Sequence, residues 1–129
     1  MGDIIKNFEV RSINSKKLNL YFDAGSSLTF IKHTVAKELG GLLTLPRKIK
    51  LKGLGEGEFE VTHLMNLEIK LLDIWCMHPV YVVEDWVLDK DYDILVGHDF
   101  MQRFEIKLDP LHREIIIDKN ALLRAQRIK

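Results

Sequence analysis

The chain has 129 residues, 19 of them basic and 19 acidic, and no formal net charge. That is the length of one domain, and an apolar share of 47% gives it material for a core. The neutral balance argues against nucleic acid or an anionic membrane surface as the main partner. The single cysteine, Cys76, excludes an intrachain disulfide and a cysteine metal cluster. It suits a reducing compartment, so a cytoplasmic location is expected. The start, "MGDIIKNFEV", mixes acid and base and does not read as a secretory signal. Lys6 stands where myristoylation asks for a small hydroxyl residue. No apolar run approaches the roughly 20 residues that span a bilayer.

Taken in order, the elements are mostly strands. Ile4 to Arg11 and Lys17 to Phe22 are joined by the polar "SINSKK" and read as a hairpin. In the second run Leu18, Leu20 and Phe22 alternate with Lys17, Asn19 and Tyr21. The run then meets Asp23, followed by the small residues Ala24, Gly25, Ser26 and Ser27. A lone carboxylate in apolar surroundings is costly to ionise. It therefore either caps a turn in contact with water or is placed for chemistry. Val35, Ala36 and Leu39 have helical spacing, and Gly40 and Gly41 are natural stops for a short helix. From Pro46, two alternating runs flank Gly53, Gly55 and Gly57, a long hairpin with a glycine-bearing tip. "HPVYVVED" is a further strand. Ile94, Leu95 and Val96 form an apolar strand that Gly97 breaks, and a helix with Phe100, Met101 and Phe104 on one side follows. Asp99 suits the positive end of that helix. "EIKLD" and "REIIID" make a closing pair around "PLH". The domain spans residues 1–118, and 119–129 is a basic tail of helical propensity whose order the sequence leaves open.

The order of these parts resembles the retropepsin-like aspartic proteases, the single-domain family of retroviral proteases and their cellular relatives. "FDAGSS" is similar to its catalytic turn, "LKGLGEGEF" to its flap, and "YDILVGHDFMQRFEIKLDP" to its strand, helix and closing strand. The resemblance implies an all-β fold with one or two short helices, a closed acid-protease barrel of a single lobe. It implies an aspartic endopeptidase with Asp23 as the catalytic acid. Ala24, Gly25, Ser26 and Ser27 would line the bound substrate, and Gly53, Leu54, Gly55 and Glu56 would close over it. Leu28, Ile31, Leu54 and Val83 are candidate pocket walls. No metal or cofactor is called for.

Such chemistry needs a water held between two carboxylates that share a proton. The chain holds one Asp-small-Gly triplet. The second carboxylate must then come from another copy, which implies a homodimer with Asp23 of each chain at a two-fold axis. The partners are accordingly a second copy and a peptide or protein substrate.

Two departures from the family pattern matter. Ala24 stands where most active relatives carry Thr or Ser, whose hydroxyl braces the two turns across the axis. Ser27 and His98 stand where many retroviral relatives carry an ion pair; a Ser27–His98 hydrogen bond or Asp99 would have to substitute. Ala24 also keeps a rival open, a non-catalytic peptide-binding or assembly module on the same fold. His33, His63, His78, His98 and His112 show no metal-ligand spacing, and Cys76 reads as a packed thiol rather than a nucleophile.

Overall fold

The computed structural model describes residues 3–53 and 57–126. Strands β1 (Ile4–Arg11) and β2 (Ser15–Phe22) form the expected hairpin, with Ile4 opposite Phe22 and Arg11 opposite Ser15. The alternation in β2 sends Leu18, Leu20 and Phe22 into the core. β3 (Phe30–Lys32) leads directly into α1 (His33–Leu39), which buries Val35, Ala36 and Leu39. Gly40 and Gly41 then take the left-handed backbone that ends the helix, at φ 80° and 83°.

β4 (Leu43–Lys52) and β5 (Glu58–Leu71) are the arms of the long hairpin. β4 starts earlier than the sequence suggested. It is the terminal strand of the sheet, and its register shifts between Thr44 and Ile49, around Pro46. An edge with a bulge is where a residue lacking an N–H is tolerated. β6 (Ile74–Val83) also begins earlier than expected, because β5 returns through the tight turn Leu72–Asp73, at φ 47° and 64°. β7 (Ile94–Val96) is fully buried and runs through Gly97 into α2 (His98–Arg103).

The sheet closes on itself. The order β1-β2-β7-β3-β6-β5 returns to β1 through Val10 opposite Ile69 and Arg11 opposite Glu68, and β4 lies outside the ring on β5. β2 pairs parallel to β7, and β3 parallel to β6, so segments distant in sequence are interleaved. The result is a closed barrel, as expected, here of six strands and with few short helices. β8 (Lys107–Asp109) and β9 (Glu114–Ile116) make a separate two-stranded ribbon. Residues of the tail supply a third helix, α3 (Lys119–Ala125), capped by the Asp118 carboxylate and anchored by Ala121 and Leu122, with Leu122 in the main core.

Two apolar clusters share the barrel. The larger joins β1, β2, β5 and β6 to all three helices. The smaller, with Phe30, Phe59, Val61, Leu88, Tyr92 and Leu95, lies where the β4–β5 hairpin folds over the barrel mouth. Asp23 stands at that mouth, lining a cleft with Leu88, Tyr92 and Leu95.

Candidate active site

Asp23 is the first residue past β2, and the turn around it is held from several sides. Its backbone N–H donates to the Val96 carbonyl on β7 at 2.9 Å. The Gly25 N–H donates to the Asp23 carboxylate, Oδ1, at 2.9 Å, and the Ser26 N–H to the Asp23 carbonyl at 3.1 Å. The carboxylate is half-buried, with Ala24 and Gly25 exposed beside it. Glycine at position 25 leaves room for the carboxylate, since a Cβ there would make a tight 3.1 Å contact with Asp23 Oδ1.

The strand-to-helix junction of β7 and α2 braces the far side of the turn. His98 donates its N–H to the Ser26 carbonyl at 2.7 Å, and Asp99 donates its own to the Ser27 carbonyl at 3.3 Å. Gly97 makes this approach possible, since a Cβ there would collide with the Leu28 carbonyl and stand 2.9 Å from that of Ser26. Thr29, fully buried, is the centre of the brace. Its hydroxyl accepts from the Gly97 N–H at 3.0 Å and donates to Asp99 Oδ1 at 2.7 Å. The same oxygen accepts the Phe100 N–H at 2.7 Å, and Asp99 Oδ2 lies 3.0 Å from His78 Nε2 on β6. Burial raises the Asp99 carboxyl, but the hydrogen bonds from His78, Thr29 and Phe100 outweigh it and hold the group below its usual range. Asp99 thus takes the part that sequence left to Ser27–His98 or Asp99. Among the described residues Ser27 and His98 share no side-chain bond.

The expected site residues fall in three places. Asp23 and Gly53 line one cleft of about 370 Å³ with Tyr21, Trp86, Leu88 and Tyr92. Gly25, Ser26, Ser27 and Leu28 line a smaller adjoining recess with Leu51, Lys52 and Gly53. Ala24 lies on another face, in an apolar hollow with Met101, Ile106 and Leu108. The Ser26 hydroxyl turns inward and donates to the Leu28 carbonyl at 2.8 Å, leaving Ser27 as the exposed hydroxyl of the turn. Ile31 is fully buried in the main core and lines no cleft, because β3 presents Phe30 to the mouth and Ile31 to the interior. Val83 borders a pocket farther along the hairpin. Leu54, Gly55 and Glu56 lie outside the described residues.

Sequence reasoning missed Tyr21, Tyr92, Trp86 and the Thr29–Asp99–His78 brace. The rings of Tyr21 and Tyr92 pack at 4.9 Å beside Asp23. Burial and the neighbouring Asp23 charge push the Tyr21 phenol up to about 12, so it stays a neutral hydrogen-bond donor. The alternation of β2 predicted that Tyr21 faces away from the core, which was the available signal. Nothing local in the sequence pairs His78 with Asp99. Among the described residues no group of histidine, cysteine or acidic side chains is arranged to hold a metal, and Cys76 is buried, its thiol pushed up to about 11 by that burial.

No protein-family model and no curated protein sequence matches the chain. Solved structures do. The retroviral protease-like domain of Ddi1 from Leishmania major superposes with a TM-score of 0.63 at 20% identity, over 89% of each chain. The EIAV protease in complex with an inhibitor gives 0.59 at 18% identity, over 84% of this chain and 93% of its own. The fold is retropepsin-like.

Proposed function

We propose that the protein is an aspartic endopeptidase that works as a homodimer. The observation that carries this reading is the position of Asp23. It is a half-buried carboxylate on a braced turn, in a cleft whose opposite wall reaches the glycine-bearing hairpin at Gly53. With the Asp23 of a second copy beside it, the protonated carboxyl would donate its proton to the scissile carbonyl oxygen while the ionised one takes a proton from the attacking water, giving a diol. The diol would collapse as the carboxyl protonated by the water donates to the leaving amide nitrogen and the other recovers a proton from a diol hydroxyl. An extended peptide would lie between the turn and the hairpin, adding a strand, with alternate side chains in the recesses on either side of Gly53. The exposed Ala24 and the apolar hollow around it favour a face for the second copy. The buried, unpaired Cys76 fits a cytoplasmic location.

One observation favours a second reading, a peptide-binding module without catalysis. Ala24 offers no hydroxyl to lock two turns together. The experiment that separates the two is cleavage of a mixed peptide library between pH 4 and pH 7, with Asp23→Asn in parallel. The protease reading expects product that rises faster than linearly with protein concentration and vanishes in the variant. Intact fold with no product at any concentration sinks it.

A further inference from the structure

Beyond the Asp23 cleft the structure holds a second recess of about 380 Å³, between the β5 arm of the hairpin and the segment that follows β6. Its apolar surfaces come from Phe59, Val82, Val83 and Val87. Trp86 and Val87 border both this recess and the Asp23 cleft, so the two are neighbours across one indole ring. Trp86 is 72% exposed, an unusual position for the largest apolar side chain. The segment carrying it is nonetheless fixed. Asp85 accepts the Thr34 N–H at 3.1 Å and the Thr34 hydroxyl at 2.6 Å, which pins the single 3-10 turn Asp85–Val87 to the start of α1. An aromatic ring held in solvent on an anchored turn at a cleft edge is the kind of anchor that binding surfaces use.

The charges around the recess are unequal. Glu58, Glu60 and Glu84 line it together with Lys50 and His33. Glu58 and Glu60 lie 3.8 Å from Lys52 and Lys48, respectively. Neither Glu84 nor Lys50 has an ion pair among the described residues, and of the two it is Glu84 that stands next to the Trp86 turn. An aliphatic floor, an indole face and an unshared carboxylate suit one kind of side chain, a long stem with a cationic head. We infer that this recess is a substrate subsite that selects an arginine or lysine at a fixed distance from the scissile bond. The stem lies along Val87 and Phe59, and the head meets Trp86 and Glu84. The inference rests on the reading of Asp23 as the catalytic acid.

The test takes a cleaved peptide and places lysine, norleucine or glutamate at each position away from the scissile bond. At one position the kcat/KM ratio of lysine to norleucine should be about fivefold to tenfold, the strength of an exposed cation–aromatic contact together with an ion pair. Glu84→Gln and Trp86→Leu should each lower that ratio, and Glu84→Lys should turn the preference toward glutamate. A ratio cancels any loss of folded protein. Cleavage without a basic preference, or with one that survives all three variants, overturns the subsite and leaves the protease reading standing. If no peptide is cleaved, that reading falls instead. The subsite is then judged on binding of fluorescein-labelled hexapeptides carrying arginine, norleucine or glutamate to Asp23→Asn protein. Arginine peptides should bind best and lose that advantage in Glu84→Lys, and equal binding overturns the inference. Self-association that Trp86→Leu abolishes, with no peptide preference, would assign the recess to a second copy and overturn it too.

Discussion

Thr29 is a small buried residue with a large share of the site's rigidity. Its hydroxyl joins Gly97, at the strand-to-helix junction, to Asp99 in the helix. Thr29→Val keeps the shape and removes both bonds, leaving a buried N–H and a carboxylate oxygen short of a partner. A loss of about 1–3 kcal/mol in urea-unfolding free energy is expected. A loss under a few tenths would mean that water substitutes for the hydroxyl. The carboxylate of Asp99 adds a dependence on pH. Its folded pKa lies below the unfolded value near 3.8. The stability it contributes is therefore complete above that value and is lost as pH falls through the lower folded one. Asp99→Asn should flatten this part of the stability profile below pH 4, measured by urea titration at closely spaced pH values. His78 complicates the same brace from the other end. Its Nδ1 is buried without a hydrogen-bond partner among the described residues.

Among the elements, the β5–β6 turn shows how local signals and tertiary demands diverge. A two-residue hairpin of this twist wants positive φ at both central positions, which Asn-Gly supplies. Here Leu72 and Asp73 adopt φ 47° and 64°. Leucine in that region is strained, and it is 50% exposed, so no core contact compensates. Leu72→Asn should raise the thermal midpoint, with a gain of about 1 kcal/mol; an unchanged midpoint would mean the turn relaxes in the free chain. The same mismatch explains why the sequence points to the strand β6 from His78 and not from Ile74. Its first residues carry no turn signal before them. By contrast β2, α1 and the β7–α2 junction were legible, because their alternation, helical spacing and Gly97 are local. The brace was not, because Thr29, His78 and Asp99 meet only after β3, β6 and β7 have paired. The inward turn of the Ser26 hydroxyl was not legible for the related reason that its direction depends on the Leu28 carbonyl and not on the motif.

For the molecule as a whole, the question is what one chain lacks. The proposed dyad needs two copies, so activity should track dimer population rather than total protein. Ala24→Thr would offer a hydroxyl at the shared face. A dimer tighter by about 0.5–1.5 kcal/mol per bond formed is expected by sedimentation, and identical dissociation constants would remove this account of the face. Cys76 provides an independent gauge of integrity. Buried, and with its thiol pushed up to about 11, it should react with thiol reagents at the rate of unfolding, and faster labelling in native buffer would reveal local opening of β6.

The parallel pairing of β2 with β7 has a consequence for the order in which the protein is made. The Asp23 turn is clamped by the Val96 carbonyl, and the bond from the Asn19 N–H to the Asp93 carboxylate spans 74 positions of sequence. A ribosome delivers the acid early and its clamp late. At about 5–20 residues per second the interval is roughly 4–15 s. For that time the nascent chain carries its acid on an unbraced turn, without the Gly97 junction that shapes it. The candidate site thus takes its shape only after the Gly97 junction has emerged, late in the synthesis of the chain.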